Sequence, residues 1–297
     1  MKRLFNIIAI ILSISLISGC ELGDAIKQSA KNEVKDQSKK VIDDFKTKRA
    51  EKNTPNINTE QEQSLIGIET NKENYAFVNN NKVTLNNEEK ARLEQNGSDR
   101  FWVDYSNLDR LGRAGQVTAL VTSQSVHNHS SKVQKRPSFD SDVHIAGEYK
   151  DGIYNPFKKT WKGNKSNNQI TQLVGYRGYL YNKSHLLAWS LGGDMETHNL
   201  VLGTRSQNVG SNKDVNGGGM GYPETQVRNA IYDNPDIKVF YKVTPVYNNK
   251  ELLPRGTHVK AYSVNDNGKT VNINVWIANK QQGININYKD GTFQKVS

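Results

Sequence analysis

With one cysteine, Cys20, the chain can close no internal disulfide, and it has no Cys pair from which to build a structural zinc site. It contains no H-E-x-x-H stretch. Its one closely spaced histidine pair, His127 and His129, lies in a Ser/Asn-rich segment that reads as exposed loop, so a catalytic zinc centre has no ligand set. Gly217-Gly218-Gly219 lacks the Lys-Ser/Thr ending of a phosphate-cradling P-loop and reads as a flexible turn. Internal repeats and low-complexity segments are absent from the sequence, and an apolar share of 35% excludes a multispan membrane protein while allowing a real core. Long apolar runs are also lacking. The one uncharged, mostly apolar run, Leu4 to Ile17, is too short to cross a bilayer comfortably.

That run follows Lys2-Arg3 and precedes Ser18-Gly19-Cys20, the n-region, h-region and small-residue cleavage site of an export signal. The placement of Cys20 resembles the lipobox of bacterial lipoproteins, which implies cleavage after residue 19 and a lipid anchor on Cys20. The expected location is the extracellular face of the cell membrane, with some protein released. The formal charge of +10 falls to +8 once Lys2 and Arg3 are lost with residues 1–19. Such a surplus favours a polyanion, either nucleic acid or an anionic envelope, without choosing between them.

From Asp24 to Thr54 there is neither Gly nor Pro, and charges of both signs surround a few scattered apolar residues. Residues 20–63 therefore read as a charged tether, ended by turn residues around Pro55. A folded domain is expected over 64–297. "YAFVNNNKV" (75–83) suggests a hairpin, "NNEEKARLEQNG" (86–97) an Asn-capped helix closed by Gly97, and "GQVTALVTSQSV" (115–126) a buried strand. Residues 136–168 are irregular. "TQLVGYRGYLYN" (171–182) returns to strand, "YPETQVRNAIYDNP" (222–235) to helix, and four strand-like runs follow from Val239 to Gly291. Short helices among mostly antiparallel strands indicate an α+β fold.

Within this frame, His185 follows a short aromatic strand-like run and precedes a stretch dense in Asn and Gly. An unperturbed imidazole has the pKa wanted of a general base near neutrality, so a rate limited by His185 would rise with pH through a value within about a unit of ~6.5. Asn199 and Asn208 lie downstream, and Glu224 opens the expected helix with Arg228 four residues on, on the same face. An Asn carbonyl is a hard, neutral ligand suited to a Mg²⁺ that keeps most of its waters.

The blocks "YNKSHLLAWSLGG" (181–193), "HNLVLGTRSQNVG" (198–210) and "GYPETQVRNAI" (221–231) resemble, in order, those of the DNA/RNA non-specific endonuclease family, in particular its Gram-positive extracellular and membrane-anchored branch. The similarity runs from about Leu108 to Gly291. It implies a ββα-metal core embedded in a mainly antiparallel sheet, and metal-dependent hydrolysis of DNA, with RNA a further substrate, leaving 5′-phosphates without strong sequence preference. Carried over position by position, the resemblance makes His185 the general base, Asn208 the direct ligand of Mg²⁺ (Mn²⁺ as a substitute), Asn199 a catalytic support near the base, and Glu224 the holder of metal-bound water. It makes Arg228 a helix cation facing nucleic acid. Lys183, Arg205, Lys135 and Arg136 are candidate phosphate contacts. The chain departs from the family's D-R-G-H signature with Asn182, Lys183 and Ser184, which removes a negative charge and exchanges a bidentate guanidinium for a point charge. Two rivals from other classes stand beside the enzyme: a non-catalytic lipoprotein binding nucleic acid or envelope polymers, which would not require His185, Asn208 and Glu224 together, and a solute-binding lipoprotein, which would show alternating βαβ patterns that are not seen.

Overall fold

The computed structural model describes residues 58–210 and 217–296. The export signal, Cys20 and nearly all of the tether lie outside the described residues. In chain order, the elements are α1 (Glu60–Gln63), β1 (Ala76–Phe77), α2 (Asn87–Asn96), β2 (Trp102–Tyr105), β3 (Val117–Val121), α3 (Ser123–Asn128), β4 (Ile153–Asn155), β5 (Thr160–Lys162), β6 (Ile170–Leu173), β7 (Tyr176–Tyr179), β8 (Tyr181–His185), β9 (Leu200–Thr204), α4 (Arg205–Val209), α5 (Gly221–Asp233), β10 (Val239–Val246), β11 (Gly256–Ser263), β12 (Asn272–Ala278), β13 (Ile284–Ile286) and β14 (Phe293–Lys295). The folded region takes in residues before the expected start at Ser64. Buried Asn58 donates to the Pro245 carbonyl at 2.9 Å and accepts from the Tyr247 amide at 3.0 Å, and Gln63 donates to the Tyr247 carbonyl at 2.7 Å.

Six strands form an antiparallel sheet in the order β1-β12-β11-β10-β3-β2. Its central strands are buried almost continuously rather than at alternate positions, because both faces are covered. On one face, Val117, Val239, Tyr241, Val243 and Val259 share a core with Val227 and Ile231 of α5 and with Leu186, Leu187 and Leu191. Full burial of an aliphatic side chain of this kind is worth about 1.5–3 kcal/mol, so Val227 and Ile231 hold α5 in place chiefly through packing. A second core gathers Leu180, Tyr181, Leu200, Leu202, Leu253 and Ile286. The β8–β9 ribbon contributes to both cores, which fixes its orientation. It forms a separate two-stranded sheet beside the large one rather than within it.

The helix expected over 86–97 is present: Asn86 caps it in a box with Glu89, and Gly97 at φ 86° ends it. The hairpin expected at 75–83 is not. Asn79, Asn80 and Asn81 all adopt left-handed backbone (φ 49°, 52° and 57°), a conformation Asn tolerates better than most residues, and Ala76 and Phe77 pair instead with Trp276 and Val275 of β12. The irregular stretch contains the β4–β5 hairpin, and residues 171–182 contain the β6–β7 hairpin and the start of β8.

Candidate active site

His185 ends β8, opposite Leu200 at the start of β9. At the far end of the ribbon, Thr204 turns the chain into α4: its hydroxyl accepts from the Gln207 amide at 3.0 Å and donates to the Lys280 carbonyl at 2.7 Å, while its amide donates to Asn279 at 2.9 Å. These contacts aim α4 back across the ribbon. There the Ser184 hydroxyl donates to Asn208 Oδ1 at 3.1 Å, joining the strand of His185 to the helix of Asn208. Ser184, which replaces the signature's glycine, thus orients the candidate ligand.

Gly218 and Gly219 are needed for close approach rather than flexibility. The Gly219 amide donates to the Glu73 carbonyl at 2.7 Å and the Met220 amide to the Gln207 carbonyl at 2.9 Å. A Cβ on Gly219 would stand 2.4 Å from the Gln207 carbonyl oxygen. The start of α5, and with it Glu224, is therefore held against α4.

The His185 imidazole is buried. Phe139 stacks on it at 5.6 Å, Nδ1 lies 3.5 Å from Arg136 Nη2, and Nε2 lies 3.3 Å from the Met195 sulfur. Because Arg136 can only donate, Nδ1 presents its lone pair and Nε2 carries the proton, supported by the Asp194 backbone. Burial, helped by the Arg136 charge and opposed by Asp194, pulls the imidazole down to about 3. This differs from the expectation of a titration near 6.5: burial disfavours the imidazolium, so the ring of the metal-free protein stays neutral well into the acid range, with its lone pair available but less basic.

Glu224 is half-buried, and its carboxylate takes no hydrogen bond among the described residues. Burial pushes its pKa up to about 8 against the lowering influence of Arg228 and Arg136. A half-buried carboxyl without a donor and an Asn oxygen with a second lone pair form an all-oxygen set that suits a hard divalent cation. The described residues contain no group of three or more His, Cys, Asp or Glu, so a thiolate- or imidazole-rich zinc site is not part of this region.

Asn199 does not face the site. It is fully buried, its Oδ1 accepts from the Leu187 amide at 2.8 Å, and its Nδ2 donates to the Leu187 and Asp194 carbonyls at 3.0 and 2.9 Å. Every hydrogen bond is spent on backbone, so the catalytic placement gives way to a positioning one: Asn199 ties down the loop that supports His185. Asp194 is fastened further by His198 at 2.7 Å, and its amide donates to the Tyr105 hydroxyl at 3.1 Å.

Lys183 also departs from its expected role. Its ammonium pairs with Glu148 at 3.3 Å and donates to the Val143 carbonyl, so the phosphate-binding role is not carried forward. Arg228 meets the Ser190 and Thr225 hydroxyls at 3.3 and 3.2 Å beside Glu224, and the Arg205 guanidinium lies 4.8 Å over the Tyr176 ring. Lys135 is exposed, away from any ion pair among the described residues, while exposed Arg136 reaches His185. Sequence reading missed Ser184 as a support, Phe139, and the Asp194–His198 pair; the last had a signal, an acid four residues before a histidine.

A family model described as DNA/RNA non-specific endonuclease matches residues 152–265, narrower than the 108–291 span of the motif resemblance. A structure of Sda1 nuclease with bound zinc ion is 33% identical, covers 65% of this chain and 80% of that one, and superposes with a TM-score of 0.56. The chain belongs to the DNA/RNA non-specific endonuclease family. A curated deoxyribonuclease of Streptococcus dysgalactiae subsp. equisimilis is 42% identical over 124 residues, 41% of this chain; the match spans 36% of that relative's length. NucA from Streptococcus agalactiae, crystallised with magnesium bound, shares the fold at 21% identity and a TM-score of 0.55, covering 80% of this chain and 98% of that one. Within the family, β8, β9 and α4 are the ββα-metal unit.

Proposed function

We propose that the protein is an exported, lipid-anchored endonuclease that hydrolyses phosphodiester bonds of DNA, and of RNA by the same chemistry, with a divalent metal and without strong sequence preference. The observation that carries this reading is the juxtaposition of a neutral, buried His185, a hydroxyl-oriented Asn208 and an unpartnered Glu224 on one ββα unit and its adjoining helix. Asn208 and Glu224 would hold the cation, Glu224 through water. Their hard oxygens favour Mg²⁺ or Mn²⁺, although the Sda1 relative was solved with zinc. When bound, the ion supplies charge stabilisation to the phosphoryl and departing oxygens.

The remaining work falls to side chains. With Arg136 turned from His185 Nδ1 onto the substrate phosphate, Nδ1 takes a proton from the attacking water, while Nε2 stays fixed by the Asp194 loop. Arg136 and Arg228 grip phosphate oxygens without reading bases, as Lys135 and Arg205 do further out. Products carry 5′-phosphates because the 3′ oxygen departs. Lipid anchoring on Cys20 rests on the sequence of the export signal. Incubating the purified protein with plasmid DNA and with RNA, with Mg²⁺ and with EDTA, tests the reading: fragmentation should require the metal. Full activity in EDTA, or none with any divalent metal, would refute it.

A further inference from the structure

The β4–β5 hairpin carries an apolar side chain that the fold does not use. Phe157, at its tip, is 96% exposed, and Ile153 on the same hairpin is 75% exposed. Full exposure of a phenyl ring contributes nothing to the core, yet the tip is held in shape. Asn155 Oδ1 accepts from the amides of both Phe157 and Lys158 at 3.0 Å, and the Lys159 carbonyl accepts from the Thr197 hydroxyl at 2.9 Å. Trp161 anchors the base of the hairpin by donating to the Gly112 carbonyl at 3.1 Å. The ring is therefore displayed on a fixed support, which lowers the entropy cost of binding something to it.

Charge and position point to the occupant. Residues 150–165 contain Lys150, Lys158, Lys159, Lys162 and Lys165 against the single acid Asp151. Lys158, Lys159 and Lys162 are exposed, and none makes an ion pair among the described residues. Thr197 belongs to the Asp194–Asn199 segment that supports His185, so the hairpin is tied to the support of the candidate active site. Between the hairpin and residues 141–151 lies a groove of about 530 Å³, lined by Ile153, Trp161, Tyr149, His144, Asp142 and Asp151 among others. His144 joins it to the centre: it lies 3.0 Å from Glu148, the partner of Lys183, two residues before His185. The groove's aromatic and apolar lining suits a base, and its two carboxylates discourage a phosphate from entering. Lys162 on its wall and Lys158 and Lys159 outside it suit the flanking phosphates.

We propose that the β4–β5 hairpin and this groove form a subsite for unpaired nucleotides of the substrate, with Phe157 stacking on one base, the groove taking another, and Lys158, Lys159 and Lys162 holding the adjoining backbone. The proposal rests on the endonuclease reading and narrows it, because a base inside a duplex is not available to stack. The hairpin thus gives the protein a preference for single-stranded or locally opened nucleic acid over fully paired duplex.

The test measures binding rather than cleavage, in a His185→Ala background of the purified protein, with a fluorescent single-stranded oligonucleotide and its blunt duplex. Phe157→Ala should weaken single-strand binding by roughly 5- to 160-fold, the range for loss of one base–aromatic stack, and duplex binding by less than about twofold. Phe157→Trp should retain binding. Lys158→Ala/Lys159→Ala should flatten the single-strand slope of log affinity against log salt by about 1.4, since each phosphate neutralised on a single strand adds ~0.7 to that slope. Equal losses on both substrates, or none on either, would overturn the proposal. So would unchanged oligonucleotide binding with lost adsorption to vesicles of anionic phospholipid, which would assign the tip to a lipid surface. Failure of the wild-type protein to cleave any nucleic acid with metal, despite Phe157-dependent single-strand binding, would refute the endonuclease reading and leave the subsite standing.

Discussion

Replacing Asn199 by alanine separates positioning from chemistry more sharply than any change at the reacting centre. The substitution leaves the buried Leu187 amide and carbonyl without partners and takes from the Asp194 carbonyl one of its donors, leaving it to His185 alone. Each unsatisfied buried group costs about 1–3 kcal/mol. Allowing for partial relaxation and water entry, the total is about 3–5 kcal/mol, a large part of the ~5–15 kcal/mol that holds a typical domain together. For a domain of this size, at about 2–4 °C per kcal/mol, the melting temperature should fall by roughly 6–20 °C. Turnover per folded molecule, measured below the new midpoint, should also fall, because the loop that supports His185 Nε2 is no longer fixed. Calorimetry and single-turnover cleavage on one preparation give both numbers. A melting temperature within about 2 °C of wild type, with activity abolished, would refute the positioning role and return Asn199 to direct contact with the reacting groups.

Glu224→Gln keeps the side-chain shape, so the fold should persist while metal affinity by titration calorimetry drops about 10- to 100-fold; unchanged affinity would remove Glu224 from the cation site. The depressed pKa of His185 has a defined sign: between ~6.5 and about 3 the unfolded chain binds a proton that the folded chain refuses. Stability is therefore unaffected by this group above ~6.5 and falls below it, by up to ~1.4 kcal/mol per pH unit, a slope that His185→Gln should remove in denaturant titrations from pH 7 to 4. For the same reason the metal-loaded rate should show no acid limb near 6.5, and an inflection there would contradict the buried, neutral imidazole. Cys20→Ala should release the protein from membrane fractions or block its maturation; unchanged membrane association would count against the anchor.

His185, Asn208 and Glu224 were singled out by the resemblance of their sequence blocks to the family, and the fold carries them on one strand and two helices within 40 residues. The helix at Asn87–Asn96 was legible for a similar reason, since its cap, box and terminating glycine are local. What the sequence hid depends on distant partners. Lys183 reads as a cation beside the base until Glu148, 35 residues upstream in an irregular stretch, is placed on its ammonium. The Tyr75–Val83 run reads as a hairpin because its true partner, β12, lies some 200 residues away. Asn199 reads as an active-site residue because its neighbours are known in sequence but the carbonyls it serves are not. The pKa of His185 was hidden as well, since it follows from burial beneath Phe139 and from the approach of Arg136.

The central claim is that His185 removes a proton from water. Its most direct test is the single-turnover rate of plasmid cleavage by His185→Ala at saturating Mg²⁺, measured with the melting temperature and DNA affinity of the same sample. The account predicts a fall of about 10²- to 10⁴-fold, the usual contribution of a general base, with affinity for DNA retained. A variant that melts at lower temperature yet cleaves at a near-wild-type rate per folded molecule would contradict it.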